Sequence, residues 1–257
     1  MTNLLRVNLY RMRKDILLYV CLAVSIVMVF ASAATFQMLG LLTGVDAEAL
    51  GMFASGKTML LNALSPMNNM GMLIPILLIL MLARDYSNGT IRNKIICGYS
   101  RTTVFMASWV SALIFGAAML LINMLGNLGI GCLLFGYGEP FDDKAVRELL
   151  TIIVLGVMVY EVFISIAHLL MHIMKVYGCV LYIVVSFLLL GISGVGEVAQ
   201  DNKIVALLLD CNPLAQMECL INGIWQDKIG VIVGSSLLYF VVLSAIGIFY
   251  MKKKDLK

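Results

Sequence analysis

The sequence is short of charge. Of its 257 residues only 13% are Asp, Glu, Lys or Arg and 61% are apolar, whereas average soluble domains carry roughly 25% charge. That shortage excludes a soluble globular protein. Also missing is a polar stretch long enough for a catalytic domain, because the longest segment left between apolar runs is Gly196 to Lys228. Any aqueous enzyme domain must then be another polypeptide. Paired acids and a convincing metal set are lacking too, which disfavours an intramembrane protease. Ala31, Ser32 and Ala33 resemble a signal-peptidase site, but the apolar run continues to Leu42, beyond the length of a signal peptide, so cleavage there is not expected.

What is present is a set of six apolar runs, at 16–42, 66–83, 104–134, 149–174, 177–195 and 229–251. A bilayer crossing takes about 20 helical residues. The runs therefore predict an all-α integral membrane protein forming a single domain over 1–257. The segments between the spans differ in charge. Those on the N-terminal side hold 13 basic residues against three acids, and those on the other side hold five against 11. Lys and Arg in short loops stay cytoplasmic, so both termini are expected inside.

The stretch GMFASGKT, Gly51 to Thr58, fits the phosphate-loop pattern G-x-x-x-x-G-K-[ST]. That loop works when a buried strand aims it and a helix follows it. Here no strand precedes it, no second strand ending in a magnesium-binding Asp follows, and the charge pattern puts it outside. The match is expected to be accidental.

At the N-terminus Leu5, Leu9, Met12 and Ile16 form a narrow helical stripe, with Arg6, Arg13 and Lys14 away from it. This predicts an interfacial amphipathic helix, although a plain positive-inside anchor accounts for the charges as well. Between the second and third runs lies RDYSNGTIRNKIICGYSR, Arg84 to Arg101. Ser87 or Asn88 can cap a short helix, Ile91 and Ile95 share a face beside Arg92 and Lys94, and Gly98 can end it. An ordinary basic loop explains the charges but not the capped turn. In the segment 196–228 two apolar stretches break at Asn212 and Pro213. They predict short helices dipping back into the outer leaflet, against the plainer reading of a surface loop.

Glu161 lies within the fourth run, with Ser165, His168 and His172 on the same stripe. An ionised carboxylate at that depth costs about 2.5–3.5 kcal/mol. The group is a candidate intramembrane polar site, serving either as a proton site or, more plainly, as interhelical packing. His168 and His172 have the spacing of a zinc pair but lack a third ligand, so no metal is expected. Ser108, Ala112 and Gly116, and Gly230 and Gly234, have the four-residue spacing that lets helices approach closely. Cys211 and Cys219 share the outer side, where they could pair or stay apart.

The residues Asp85, Gly89, Thr90, Arg92, Lys94, Ile95, Gly98, Ser100 and Arg101, placed between the second and third of six spans, resemble the ABC-2-type permeases. These are membrane subunits of ATP-driven exporters. The acidic position, usually Glu there, is Asp85 here. The resemblance covers the whole length and implies a coupling helix at Asp85, Gly89, Thr90, Ile91, Arg92, Lys94, Ile95 and Arg101, resting in a groove of a separate ATPase subunit. It further implies a second permease subunit, homo- or heterodimeric, and re-entrant outer helices at Asn212 and Pro213. The setting would be a bacterial cytoplasmic membrane, and the substrate an amphipathic, membrane-active peptide. ATP and Mg would sit on the partner, with no cofactor on this chain and no nucleic acid involved. The different class left open is a proton-coupled secondary transporter using Glu161, His168 and His172.

Overall fold

The computed structural model describes residues 1–43, 55–65, 70–196 and 203–254. Among them every regular element is helical. In chain order these are α1 (Thr2–Lys14), α2 (Ile16–Thr43), α3 (Gly56–Leu64), α4 (Met70–Ser87), α5 (Thr90–Ile96), α6 (Arg101–Phe135), α7 (Asp143–Met174), α8 (Gly178–Gly196), α9 (Lys203–Asp210), α10 (Pro213–Ile221) and α11 (Ile229–Lys253). Among the described residues four segments are long and apolar enough to cross a membrane: Ile16–Met38, Arg101–Phe135, Asp143–Ser193 and Gln226–Lys253. The third comprises α7 and α8, joined by a 3-10 turn at Lys175–Tyr177. The protein is therefore a multi-pass membrane protein. Its outward side chains on α2, α8 and α11 are large and apolar, among them Phe30, Phe187 and Phe249, as a hydrocarbon solvent permits. Backbone groups meanwhile pair within each helix, as that solvent requires.

Helix α7 is the hub, packed against α4, α6, α8, α10 and α11. Along it Val159, Ile164, Ala167 and His168 are fully buried. Leu4, Ile91, Val104, Phe105, Ala107 and Met251 form one cluster, so α1, α5, the start of α6 and the end of α11 meet at the same end of the bundle. We call this the basic end. Helix α1 stops at Asp15, whose backbone is extended, and the chain restarts at once as α2. The Asp15 carboxylate accepts the Leu17 N–H at 3.0 Å, capping the new helix. The packed face of α1 is Leu4, Asn8 and Met12, with Ile16 66% exposed. It is thus rotated from the Leu5–Leu9–Met12–Ile16 stripe, because the helix packs on α6 and not only on lipid.

At the opposite end Ser55 caps α3, its hydroxyl accepting the Thr58 N–H at 3.2 Å. The Gly56 N–H donates to the Gly136 carbonyl at 2.9 Å, and Lys57 bridges Glu139 at 3.0 Å and Glu148 at 3.2 Å. Partial burial pulls the Lys57 ammonium down, but its hydrogen bonds to the two carboxylates outweigh that and hold it above the usual lysine range. Among the described residues of the pattern, the N–H groups of Gly56 and Lys57 and the Lys57 ammonium are thus bonded to protein acceptors. Residues 51–54 of the phosphate-loop pattern lie outside the described residues.

Candidate functional site

The connection from α4 to α6 is built from glycine geometry. Gly89 takes φ +64° and Gly98 φ +91°, left-handed conformations that side-chain-bearing residues seldom adopt. Gly89 turns the chain into α5 and stands as its N-cap without a side-chain bond. Ser87 does not cap α5: it closes α4, its hydroxyl donating to the Arg84 carbonyl at 3.1 Å. At the far end the Tyr99 N–H reaches the Lys94 carbonyl at 3.3 Å and the Gly98 N–H reaches that of Ile95 at 2.9 Å. That pair of bonds is the Schellman closure.

Charge fixes α5 to its neighbours. Asp85 is buried at 7% exposure and ion-paired with Arg11 of α1, while Lys94 lies 3.9 Å from it and donates to Asn8 Oδ1 at 2.7 Å. Burial outweighs both cations and holds the Asp85 carboxyl above the usual aspartate range. Burial likewise lowers the Lys94 ammonium. The cluster is therefore costly to dehydrate and costlier to break, since removing one partner strands the others. Arg84 of α4 pairs with Asp15 at 2.9 Å. Arg101 donates to the carbonyls of Lys252 and Lys254 at 3.2 and 2.7 Å, taking up acceptors that the end of α11 leaves unpaired.

The placement within α5 corrects one expectation. Ile91 is 5% exposed inside the basic-end cluster and Ile95 packs against it, so these residues anchor the helix to its own bundle. The outward positions are Arg92, Asn93, Cys97 and Ile96, the last 71% exposed, with Tyr99 following. Thr90 is half-buried at the start of the helix.

The polar residues of α7 do come together, in a line leading from the basic end. His172 Nδ1 lies 3.0 Å from the His168 carbonyl, and His168 Nε2 lies 3.1 Å from Ser108 Oγ on α6. The Phe105 ring stands edge-on to both imidazoles. Trp109 Nε1 donates to Ser165 Oγ at 3.1 Å. Glu161 lies against Gly116 and Ala117 of α6, and neither carboxyl oxygen has a hydrogen-bond partner among the described residues. His168 Nδ1 is likewise unpartnered. No group of three metal-ligating side chains occurs among the described residues.

Elsewhere Asn212 caps α10, accepting the Leu214 N–H at 3.1 Å and donating to the Leu189 carbonyl of α8 at 2.8 Å. Pro213 occupies the first helical position and is buried. Ser108, Ala112 and Gly116 are buried in α6 as the spacing suggested. Gly230 and Gly234 face open space instead, and the glycine of α11 that packs closely is Gly247, under the Phe105 ring. All six cysteines, Cys211 and Cys219 included, are free thiols.

Sequence reasoning missed Asn8, Arg11 and Lys254. Lys254 donates to the His172 carbonyl and lies over the Tyr86 ring at 4.5 Å. A signal for the first existed: Asn8 stands midway between Leu4 and Met12 at four-residue spacing, a polar residue on a packed face that calls for a partner. The chain belongs to the family described as protein of unknown function (DUF2705), whose model matches residues 24–257. No curated protein and no solved structure matches it.

Proposed function

We propose that this chain is the membrane subunit of an ATP-driven exporter in a bacterial plasma membrane. It would cross six times through α2, α4, α6, α7, α8 and α11, with both termini cytoplasmic. In this reading it pairs with a second permease subunit and a separate ATPase that binds ATP and Mg, and it moves amphipathic, membrane-active peptides outward. One observation carries the reading. Helix α5, placed between two long helices, is closed by glycine turns at both ends and tied by Lys94 to Asn8 of α1 and to Asp85 of α4, yet Arg92, Ile96 and the following Tyr99 are left uncovered. A soluble motor needs such a stiff element joining apolar anchors to a polar rim. Affinity purification of the full chain from its native membrane should recover a second polypeptide that hydrolyses ATP. Ile96→Asp combined with Tyr99→Asp should abolish that recovery with the chain still inserted. Undiminished recovery from the double variant rejects α5 as the handle.

The second reading is proton-coupled transport, favoured by the buried Glu161 carboxyl, which has no side-chain partner among the described residues and lies on the same helix as His168 and His172. Transport that collapses with the proton gradient while ATP is maintained, and that is lost in Glu161→Gln, selects it over the exporter.

A further inference from the structure

At the basic end a cleft of about 420 Å³ opens between the α1–α2 junction and α4. Its charged lining is Arg11, Lys14 and Arg84 with Asp15 and Asp85, which leaves one cation in surplus. The two carboxylates are already occupied, Asp85 by Arg11 and Asp15 by Arg84. Each guanidinium has five N–H donors, and among the described residues their ion pairs use Nη2 of Arg11 and Nη1 of Arg84. Lys14 is exposed, and its ammonium stands 4.7 Å from the Tyr10 ring centroid with no carboxylate within ion-pair distance among the described residues. The cleft thus presents spare donors and a net positive charge, the features that bind a phosphate oxygen.

One wall of the cleft differs from the rest. Ile16 lines it and is 66% exposed, and beyond it along α2 the outward side chains Tyr19 and Val20 continue into the apolar belt. A soluble phosphate would gain nothing from that wall. A phosphate attached to acyl chains would place its headgroup among the donors and its tails along α2.

We propose that this cleft is a seat for the phosphate headgroup of an anionic phospholipid, held at the hinge where α1 turns into α2. The site goes beyond the exporter reading and does not depend on it, since it needs only a membrane-spanning α2 with this junction at the bilayer surface. The lipid would join α1 to α4 through Arg11 and Arg84, so its occupancy would set how firmly the first helix is held against the bundle.

Native mass spectrometry of the full chain, purified in detergent and stripped of lipid, tests this. Dioleoyl phosphatidylglycerol should be retained in clear preference to dioleoyl phosphatidylcholine. Lys14→Gln should cut that retention about fivefold, the effect of removing one basic residue from an anionic lipid surface, and Arg84→Gln should also reduce it. Lys253→Gln, exposed at the end of α11 and outside the cleft, should leave it unchanged. Lys14 makes no ion pair among the described residues, so a thermal midpoint equal to wild type is expected for its variant. Equal retention of the two lipids, or equal retention by all three variants, overturns the proposal. Displacement of phosphatidylglycerol by an equal concentration of glycerol 3-phosphate overturns it as well, because the tails would then contribute nothing.

Discussion

Glu161 and Gly116 test the packing of the bundle side chain by side chain. A Cβ on Gly116 would stand 2.5 Å from Ile164 Cγ1 and 3.1 Å from Glu161 Oε1, and Ile164 is fully buried with nowhere to turn. Gly116→Ala should therefore destabilise the chain by about 1–3 kcal/mol, the usual cost of overpacking a tight core. It would be read as a lowered thermal midpoint in detergent. Glu161→Gln keeps the shape at the same contact and removes the ionisable group, whose charged form would cost about 2.5–3.5 kcal/mol in hydrocarbon. The midpoint of that variant should equal or exceed wild type. A fall of several degrees would mean that the carboxyl has a partner on which the fold depends.

Among the elements, α5 separates two roles that its sequence runs together. Ile91 faces Leu4, Phe105 and Met251, so Ile91→Asp should cost at least the roughly 2–5 kcal/mol of losing a buried isoleucine side chain and yield a misfolded or proteolysed chain. Ile96→Asp changes an exposed position and should leave expression and melting unaltered. Equal damage from the two would show that α5 is seated differently. The existence of α5 was legible in the sequence because Gly89 and Gly98 bracket a short apolar–basic turn, and local backbone chemistry decides that much. That Ile91 and Ile95 share a face was readable as well, but what covers that face was not, since its partners on α1 and α11 are distant in sequence. Helix α1 shows the same limit. Its amphipathic character was readable, but the packed stripe followed Asn8, whose partner Lys94 lies 86 positions away. The long apolar helices α6 and α11 were found to within three residues at each end, because hydrocarbon selects them by length, whereas α7 begins six residues before its apolar run, in a polar first turn capped by Asp142. The glycine that packs in α11 was missed because spacing marks candidates for close approach without saying which neighbour arrives.

For the whole molecule, the division of charge predicts an orientation that can be measured in intact cells. In a background without native cysteines, a Cys replacing Asp143, exposed at the start of α7, should react with an impermeant thiol reagent. One replacing Asn93, exposed on α5, should react only after lysis. Labelling of Asn93 in intact cells would invert the arrangement. The basic end also has a bearing on how the chain is made. Arg101 and Lys254, whose bond closes that end, stand 153 positions apart, and Leu4 waits for Met251 across nearly the whole chain. At a synthesis rate of about 5–20 residues per second, roughly eight to thirty seconds pass between the emergence of Arg101 and that of its acceptors. Through that interval the surface that α1, α5 and the start of α6 present to Met251 waits uncovered while α7 to α10 are made. A nascent chain that stalls before α11 is left with Phe105 and Ile91 uncovered at the bilayer surface, an open hydrophobic patch by which quality-control proteases can tell an unfinished molecule from a complete one.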